Sequence, residues 1–112
     1  MIRKKFEPAF SGLLNGLRHR SILTQYVLGA GAIIAGLILK LTYMEWIAVL
    51  ICIGMVITAE YLNTAIEFIC NYLTIRKDDR IRVIKDIAAG AVLASSLCAL
   101  TIALMILGHH LH

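Results

Sequence analysis

Three long apolar stretches constrain the fold of this chain more than any other feature of its sequence. They cover residues 22–41, 46–72 and 87–107. A helix needs about 20 residues to cross a bilayer core of about 30 Å, and it satisfies its own backbone hydrogen bonds there. Hydrophobic residues make up 60% of the chain and charged residues 16%, against about 45–50% and 25% in soluble domains. We therefore predict one all-α integral membrane domain, residues 1–112, with three transmembrane helices.

Residues 1–20 show a different pattern, in which basic and apolar side chains alternate. The apolar ones recur at spacings of four and three, which places them on one helical face; they include Phe6, Phe10, Leu13 and Leu17. This pattern predicts an N-terminal amphipathic helix lying in the membrane interface. Pro8 fits such a helix only in its first turn. The alternative is a disordered basic tail.

Basic residues flank the predicted spans unevenly. The N-terminal segment holds five of the 11 lysines and arginines, residues 74–86 hold five, and the turn after the first span holds Lys40. The tail after residue 107 holds none. Because lysine and arginine favour the cytoplasmic side, we expect the N-terminus and a loop at residues 74–86 in the cytoplasm and the C-terminus outside.

A polar stripe interrupts the second apolar stretch, within the sequence EYLNTAIE at residues 60–67. At about 100° per residue its members share one helical face; they are Glu60, Asn63, Thr64, Glu67 and, one turn further, Asn71. A carboxylate inside a membrane costs on the order of 2.5–3.5 kcal/mol by insertion scales. A cost of this size indicates a functional site, usually for ion binding or proton handling.

The predicted topology brings the polar stripe, the basic segment 74–86 and the Lys85–Asp86 pair to the cytoplasmic face. Carboxylates bind hard cations such as Mg²⁺, and basic side chains neutralise phosphate. A glutamate shielded from water can serve as a general base. These are the parts needed for phosphoryl transfer to a membrane-embedded alcohol. The sequence contains neither GxxxxGK[ST] nor GxGxxG, so it gives no support to a P-loop or Rossmann nucleotide site.

Each of these features also has a purely structural interpretation. The basic segment can be an ordinary positive-inside anchor, and Lys85–Asp86 can be an ion pair at a helix end. Asn63 can form a hydrogen bond between helices. The C-terminal histidines resemble a metal-binding tract, but we expect them on the opposite side from the stripe, in a frayed tail; they are His109, His110 and His112.

EYLNTAIE, followed by KDIAAGAVL at residues 85–93, resembles the prokaryotic diacylglycerol kinase family, which includes the undecaprenol kinases of Gram-positive bacteria. Residues 39–46 look more like the undecaprenol kinase branch. The resemblance implies a multi-pass protein of the bacterial inner (cytoplasmic) membrane that uses ATP and Mg²⁺ to phosphorylate a lipid hydroxyl. It also implies a homotrimer with active sites shared between neighbours, and no nucleic-acid partner.

The resemblance assigns a role to each matching position. Glu60 would be the catalytic base, supported by Asn63, and Glu67 would be a metal ligand. The remaining matching positions would contact the nucleotide; they are Arg76, Lys77, Asp78, Lys85 and Asp86.

Three positions depart from the family pattern. Arg20 stands where a second metal-binding glutamate is expected, Pro8 where a nucleotide-contacting tyrosine is common, and Asn71 where an aspartate is frequent. Arginine has no acceptor with which to bind Mg²⁺, although it can contact a phosphate directly. Arg20 therefore favours a second hypothesis, a non-catalytic, kinase-like protein that binds lipid or nucleotide without turnover. A third hypothesis is a small cation or proton carrier that uses the carboxylates of the stripe.

Overall fold

The computed structural model describes residues 2–73 and 78–112, with side chains from residue 5 onward. These residues form four helices and no strand. They are α1 (Ile2–Gly16), α2 (Arg20–Leu39), α3 (Tyr43–Leu73) and α4 (Asp79–Leu111). Helices α2, α3 and α4 are each long and apolar enough to cross a membrane. The predicted all-α fold, an N-terminal helix followed by three spans, is confirmed.

Helix α3 is the central element, because both α2 and α4 pack against it. Small and branched side chains fill the narrow spaces between them; the buried ones include Ile22, Cys52, Val56, Cys70 and Ala88. Large apolar side chains face outward, such as Leu100, Leu104 and Met105 of α4. In water such surfaces would be costly, but they suit contact with lipid or with other chains.

The turn between α2 and α3 is built from local contacts. Lys40 ends α2 in the left-handed conformation, with φ of 56°. Thr42 and Glu45 then cap α3 reciprocally: the Thr42 N–H donates to Glu45 Oε1 at 2.9 Å, and the Glu45 N–H donates to Thr42 Oγ1 at 3.3 Å. This is a capping box, which satisfies two backbone donors at a helix start.

Three local predictions were wrong. Pro8 lies inside α1, because that helix already begins at Ile2. Helix α4 begins at Asp79, so most of the charged segment 74–86 is helical and not a loop. The C-terminal tail is helical to Leu111, since His110 Nε2 lies 2.8 Å from Glu45 Oε1 and ties the end of α4 to the α2–α3 turn.

Candidate active site

Glu60 is the most deeply buried charged side chain among the described residues, with 5% of its surface exposed. Its Oε2 atom is buried and has no hydrogen-bond partner within the described part of the chain. A buried polar atom without a partner normally costs free energy and calls for an explanation. Glu60, on the central helix, is therefore the member of the polar stripe that most calls for a functional explanation.

Asn63 links the stripe along the helix. Its Nδ2 donates to Glu67 Oε1 at 3.0 Å, a contact between residues one turn apart. Its Oδ1 is buried and lacks a partner among the described residues. Asn63 thus orients the Glu67 carboxylate and leaves its own carbonyl oxygen available as an acceptor.

Lys85 reaches the stripe from α4. Its Nζ donates to Asn71 Oδ1 at 2.6 Å, so the two elements that carry Lys85 and the stripe meet at this point. Asp86 is the next residue and is exposed. Asn71, which the sequence places in the polar stripe and where the chain departs from the family, is the residue that holds the lysine.

Asp78 caps the start of α4. Its backbone is extended, and its Oδ1 accepts the Arg80 N–H at 2.8 Å. The Arg80 side chain also lies 3.3 Å from Asp78 Oδ2. The hydrogen bond from the Arg80 side chain, and to a smaller extent the one from the Arg80 N–H, holds the pKa of Asp78 below its usual value. Arg76 and Lys77, the other predicted nucleotide contacts of this segment, lie outside the described residues.

The corner between α1 and α2, residues 17–19 with Arg20 at the start of α2, packs on the neighbouring face of α3. His19 meets Phe68 edge to face, with ring centroids 5.1 Å apart. Arg18 and Arg20 are exposed, and neither forms an ion pair within the described residues. Sequence reasoning missed Tyr61, which contacts both α1 and α2. The only signal for it was a tyrosine beside Glu60 in an apolar run.

An apolar groove opens beside the stripe, between α3 and α4. Its volume is about 640 Å³, and its lining includes Leu62, Asn63, Ile66, Ile84 and Ala88. Asn63 is a polar lining residue shared with the stripe, so the groove connects the polar site with the apolar surface of the protein. An alkyl chain lying in such a groove would place its polar end near Asn63.

The described residues contain no group of three or more His, Cys, Asp or Glu side chains placed to hold a metal ion. The interpretation of the C-terminal histidines as a metal tract is therefore wrong for this arrangement: His110 is bonded to Glu45, and His109 packs edge to face on His110. At the stripe, a hard cation would find Glu67 and the Asn63 carbonyl, and would need its other ligands from water or phosphate.

Comparison with known sequences identifies the family of this chain. The sequence profile of the prokaryotic diacylglycerol kinase family matches residues 7–107. Undecaprenol kinase of Bacillus subtilis (strain 168) is 30% identical over 104 residues, which cover 92% of this chain and 85% of that protein. No solved structure matches the chain significantly. Since the profile spans most of the sequence, from α1 to the last turns of α4, this chain belongs to the prokaryotic diacylglycerol kinase family and is a membrane lipid kinase.

Proposed function

We propose that this protein transfers the γ-phosphoryl group of ATP to the hydroxyl of a membrane lipid, with undecaprenol as the first candidate and diacylglycerol as the second. A relative 30% identical to this chain is named an undecaprenol kinase, and residues 39–46 resemble that branch. The observation that carries the proposal is the buried Glu60 carboxylate, whose Oε2 has no partner within the described residues.

Glu60 is the proposed general base. A lipid hydroxyl that donates to Glu60 Oε2 would satisfy this buried acceptor and would lose its proton to it during transfer. The Asn63 carbonyl oxygen, one turn away and also unpartnered in the described part of the chain, would accept a second hydrogen bond or help to hold a cation. In the complex with substrate, these hydrogen bonds would offset the free energy that burying the two acceptors costs.

The stripe also fits Mg²⁺. This ion is usually held by one or two carboxylates, with its other positions taken by water and substrate phosphates. Glu67 offers a carboxylate whose Oε1 is oriented by Asn63. When bound, Mg²⁺ would neutralise part of the phosphate charge. The protein's own part is to present Glu67 at a fixed angle.

The nucleotide is proposed to lie against the start of α4. Phosphoryl transfer depends mainly on positioning and charge neutralisation. Lys85, held by Asn71, provides a cation beside the stripe. Asp86, together with Arg76, Lys77 and Asp78, completes the proposed nucleotide contacts.

We also infer a homotrimer with shared active sites and a cytoplasmic N-terminus. The exposed apolar faces of α4 and the groove beside Asn63 offer surfaces for lipid and for neighbouring protomers, and native mass spectrometry from micelles would count the copies.

Orientation is tested with an impermeant thiol reagent on intact cells, after Cys52, Cys70 and Cys98 have been replaced. We expect labelling of His112→Cys and protection of Asp78→Cys; the reverse pattern would contradict the orientation.

Phosphate transfer from labelled ATP to a panel of lipids in micelles is the decisive assay. We expect labelled undecaprenyl phosphate, with weaker or no labelling of diacylglycerol and none without Mg²⁺. A non-catalytic, kinase-like protein is the second candidate, favoured by Arg20 in place of the expected glutamate. ATP binding without transfer to any lipid in the panel would establish that alternative.

A further inference from the structure

One backbone carbonyl near the C-terminal end of α1 accepts a hydrogen bond from a side chain of another helix. The last carbonyls of a helix have no intrahelical donor and need other partners. Three of the last four in α1 receive backbone N–H groups in a tightened turn: Leu14 from Leu17 at 3.2 Å, Asn15 from Arg18 at 3.1 Å, and Gly16 from His19 at 3.0 Å. The remaining one, the Leu13 carbonyl, is the acceptor for a side chain from α3.

That side chain is Tyr61. Its hydroxyl donates to the Leu13 carbonyl at 2.8 Å and lies 3.0 Å from the Tyr26 hydroxyl on α2. A phenol has one proton to donate, and a carbonyl can only accept. Tyr61 therefore accepts from Tyr26 and donates to Leu13, so one hydroxyl joins α1, α2 and α3.

Gly16 brings α1 into contact with the same ring. A Cβ at Gly16 would lie 2.6 Å from Tyr61 Cζ and closer still to Cε1, and such an overlap would force the ring or the helix to move. Gly16 is also buried. The ring thus fixes the distance between α1 and α3, and the hydroxyl fixes the register of the α1 end.

The anchored corner lies beside the polar stripe. Tyr61 and Phe68 are seven residues apart, two turns of α3, and each follows a glutamate of the stripe by one residue, about 100° around the helix. Tyr61 holds the end of α1, and Phe68 meets His19. The corner therefore runs along α3 next to Glu60 and Glu67, and it carries two exposed arginines, Arg18 and Arg20.

We propose that Tyr61 is a positioning residue that anchors the α1–α2 corner so that the cations of the corner face the nucleotide phosphates. This inference rests on the proposed function, because it assumes that ATP lies at the stripe. Tyr61 acts through the corner and does not itself contact the substrate. Its hydroxyl sets where the guanidinium groups stand relative to the carboxylates.

The test compares Tyr61→Phe with Tyr26→Phe in lipid nanodiscs. Tyr61→Phe keeps the ring on Gly16 and removes both hydrogen bonds, whereas Tyr26→Phe leaves the bond to Leu13 intact. We expect amide exchange at residues 17–19 to rise roughly fivefold in Tyr61→Phe, with the Kd of Mg·ATP raised at least about threefold, and both values near parental in Tyr26→Phe. Equilibrium binding separates this effect from misfolding, because an unfolded fraction lowers the number of sites and leaves their Kd unchanged.

Gly16→Ala provides a second test, because it displaces the ring and retains the hydroxyl; it should raise exchange and Kd in the same way. If Tyr61→Phe does not fold, Gly16→Ala decides the matter. If amide exchange in the folded variant equals that of the parent, Tyr61 does not anchor the corner. If amide exchange rises but the Kd of Mg·ATP stays at the parental value, Tyr61 is not a positioning residue. A parent that binds ATP but shows no difference between the variants contradicts this inference alone, whereas a parent that binds no ATP contradicts the proposed function as well.

Discussion

Replacement of Glu60 by glutamine should lower the turnover of the protein and should leave its stability constant or slightly higher. The substitution keeps the shape of the side chain and removes its charge and its ability to take a proton. In the folded protein Glu60 is 5% exposed, and its Oε2 has no partner in the described part of the chain. The glutamine amide would bring a donor to this position, where the Asn63 carbonyl oxygen one turn away is also without a partner among the described residues.

The structure sets the expected magnitudes. Removing a buried, incompletely partnered carboxylate relieves part of its desolvation cost, so the free energy of unfolding should stay constant or rise by about 1 kcal/mol. Loss of a general base typically lowers turnover by about 10²–10⁴-fold. The corresponding increase in the activation free energy is about 2.7–5.4 kcal/mol. A protein that becomes inactive without becoming less stable has lost a functional group and not a structural one.

Turnover is measured by transfer from labelled ATP to lipid, and unfolding by titration with sodium dodecyl sulfate in mixed micelles. Glu45→Gln is the matched control. Glu45 accepts hydrogen bonds from Thr42 and His110 at the other end of α3. We expect this control to lose stability and to keep near-parental turnover. If Glu60→Gln kept its turnover, or lost several kcal/mol of stability, Glu60 would not be the base.

Three further substitutions test the surroundings of the stripe. Asn71→Ala removes the acceptor of Lys85 and should raise the KM for ATP roughly tenfold; an unchanged KM would show that Asn71 does not position Lys85 for ATP binding. Asp78→Ala should speed amide exchange at the start of α4, and the difference from the parent should disappear at low pH. The pKa of this carboxyl is lowered, so its capping is complete above the ordinary value of 3.8 and is lost as pH falls through the lowered value. Arg20→Glu should weaken ATP binding, because it places repulsion near the phosphates; higher activity with tighter Mg²⁺ binding would show instead that a carboxylate is needed there.

The helices and the polar stripe were predictable because both depend on short sequence spacings. A run of about 20 apolar residues is sufficient to predict a span, and a period of 3.6 places Glu60, Asn63 and Glu67 on one face. The contact between Lys85 and Asn71 was partly predictable, because the short connection between α3 and α4 brings their adjoining ends together.

The remaining features depend on contacts between residues far apart in the chain. Tyr61 and Leu13 are 48 residues apart, and His110 and Glu45 are 65 apart, so no local pattern indicates that they meet. The start of α4 was missed for a different reason. A cluster of charged residues suggested a loop, but Asp78 in an extended conformation caps a helix whose first charged side chains, those of Asp79 and Arg80, are exposed. Charge alone does not break a helix when its first turn is capped.

Under the proposed function, the arrangement around the stripe would let a small chain bring two unlike substrates together. The α1–α2 corner carries Arg18 and Arg20 along one side of α3, and Lys85 of α4 meets the stripe at Asn71. The corner and α4 both pack against α3 beside the stripe, and their positive charges favour a polyanion at this polar end. The apolar groove at Asn63 favours an alkyl chain. In the proposed reaction the nucleotide approaches from the polar end and the lipid from the groove, and Glu60, one turn of α3 before Asn63, takes the proton of the lipid hydroxyl.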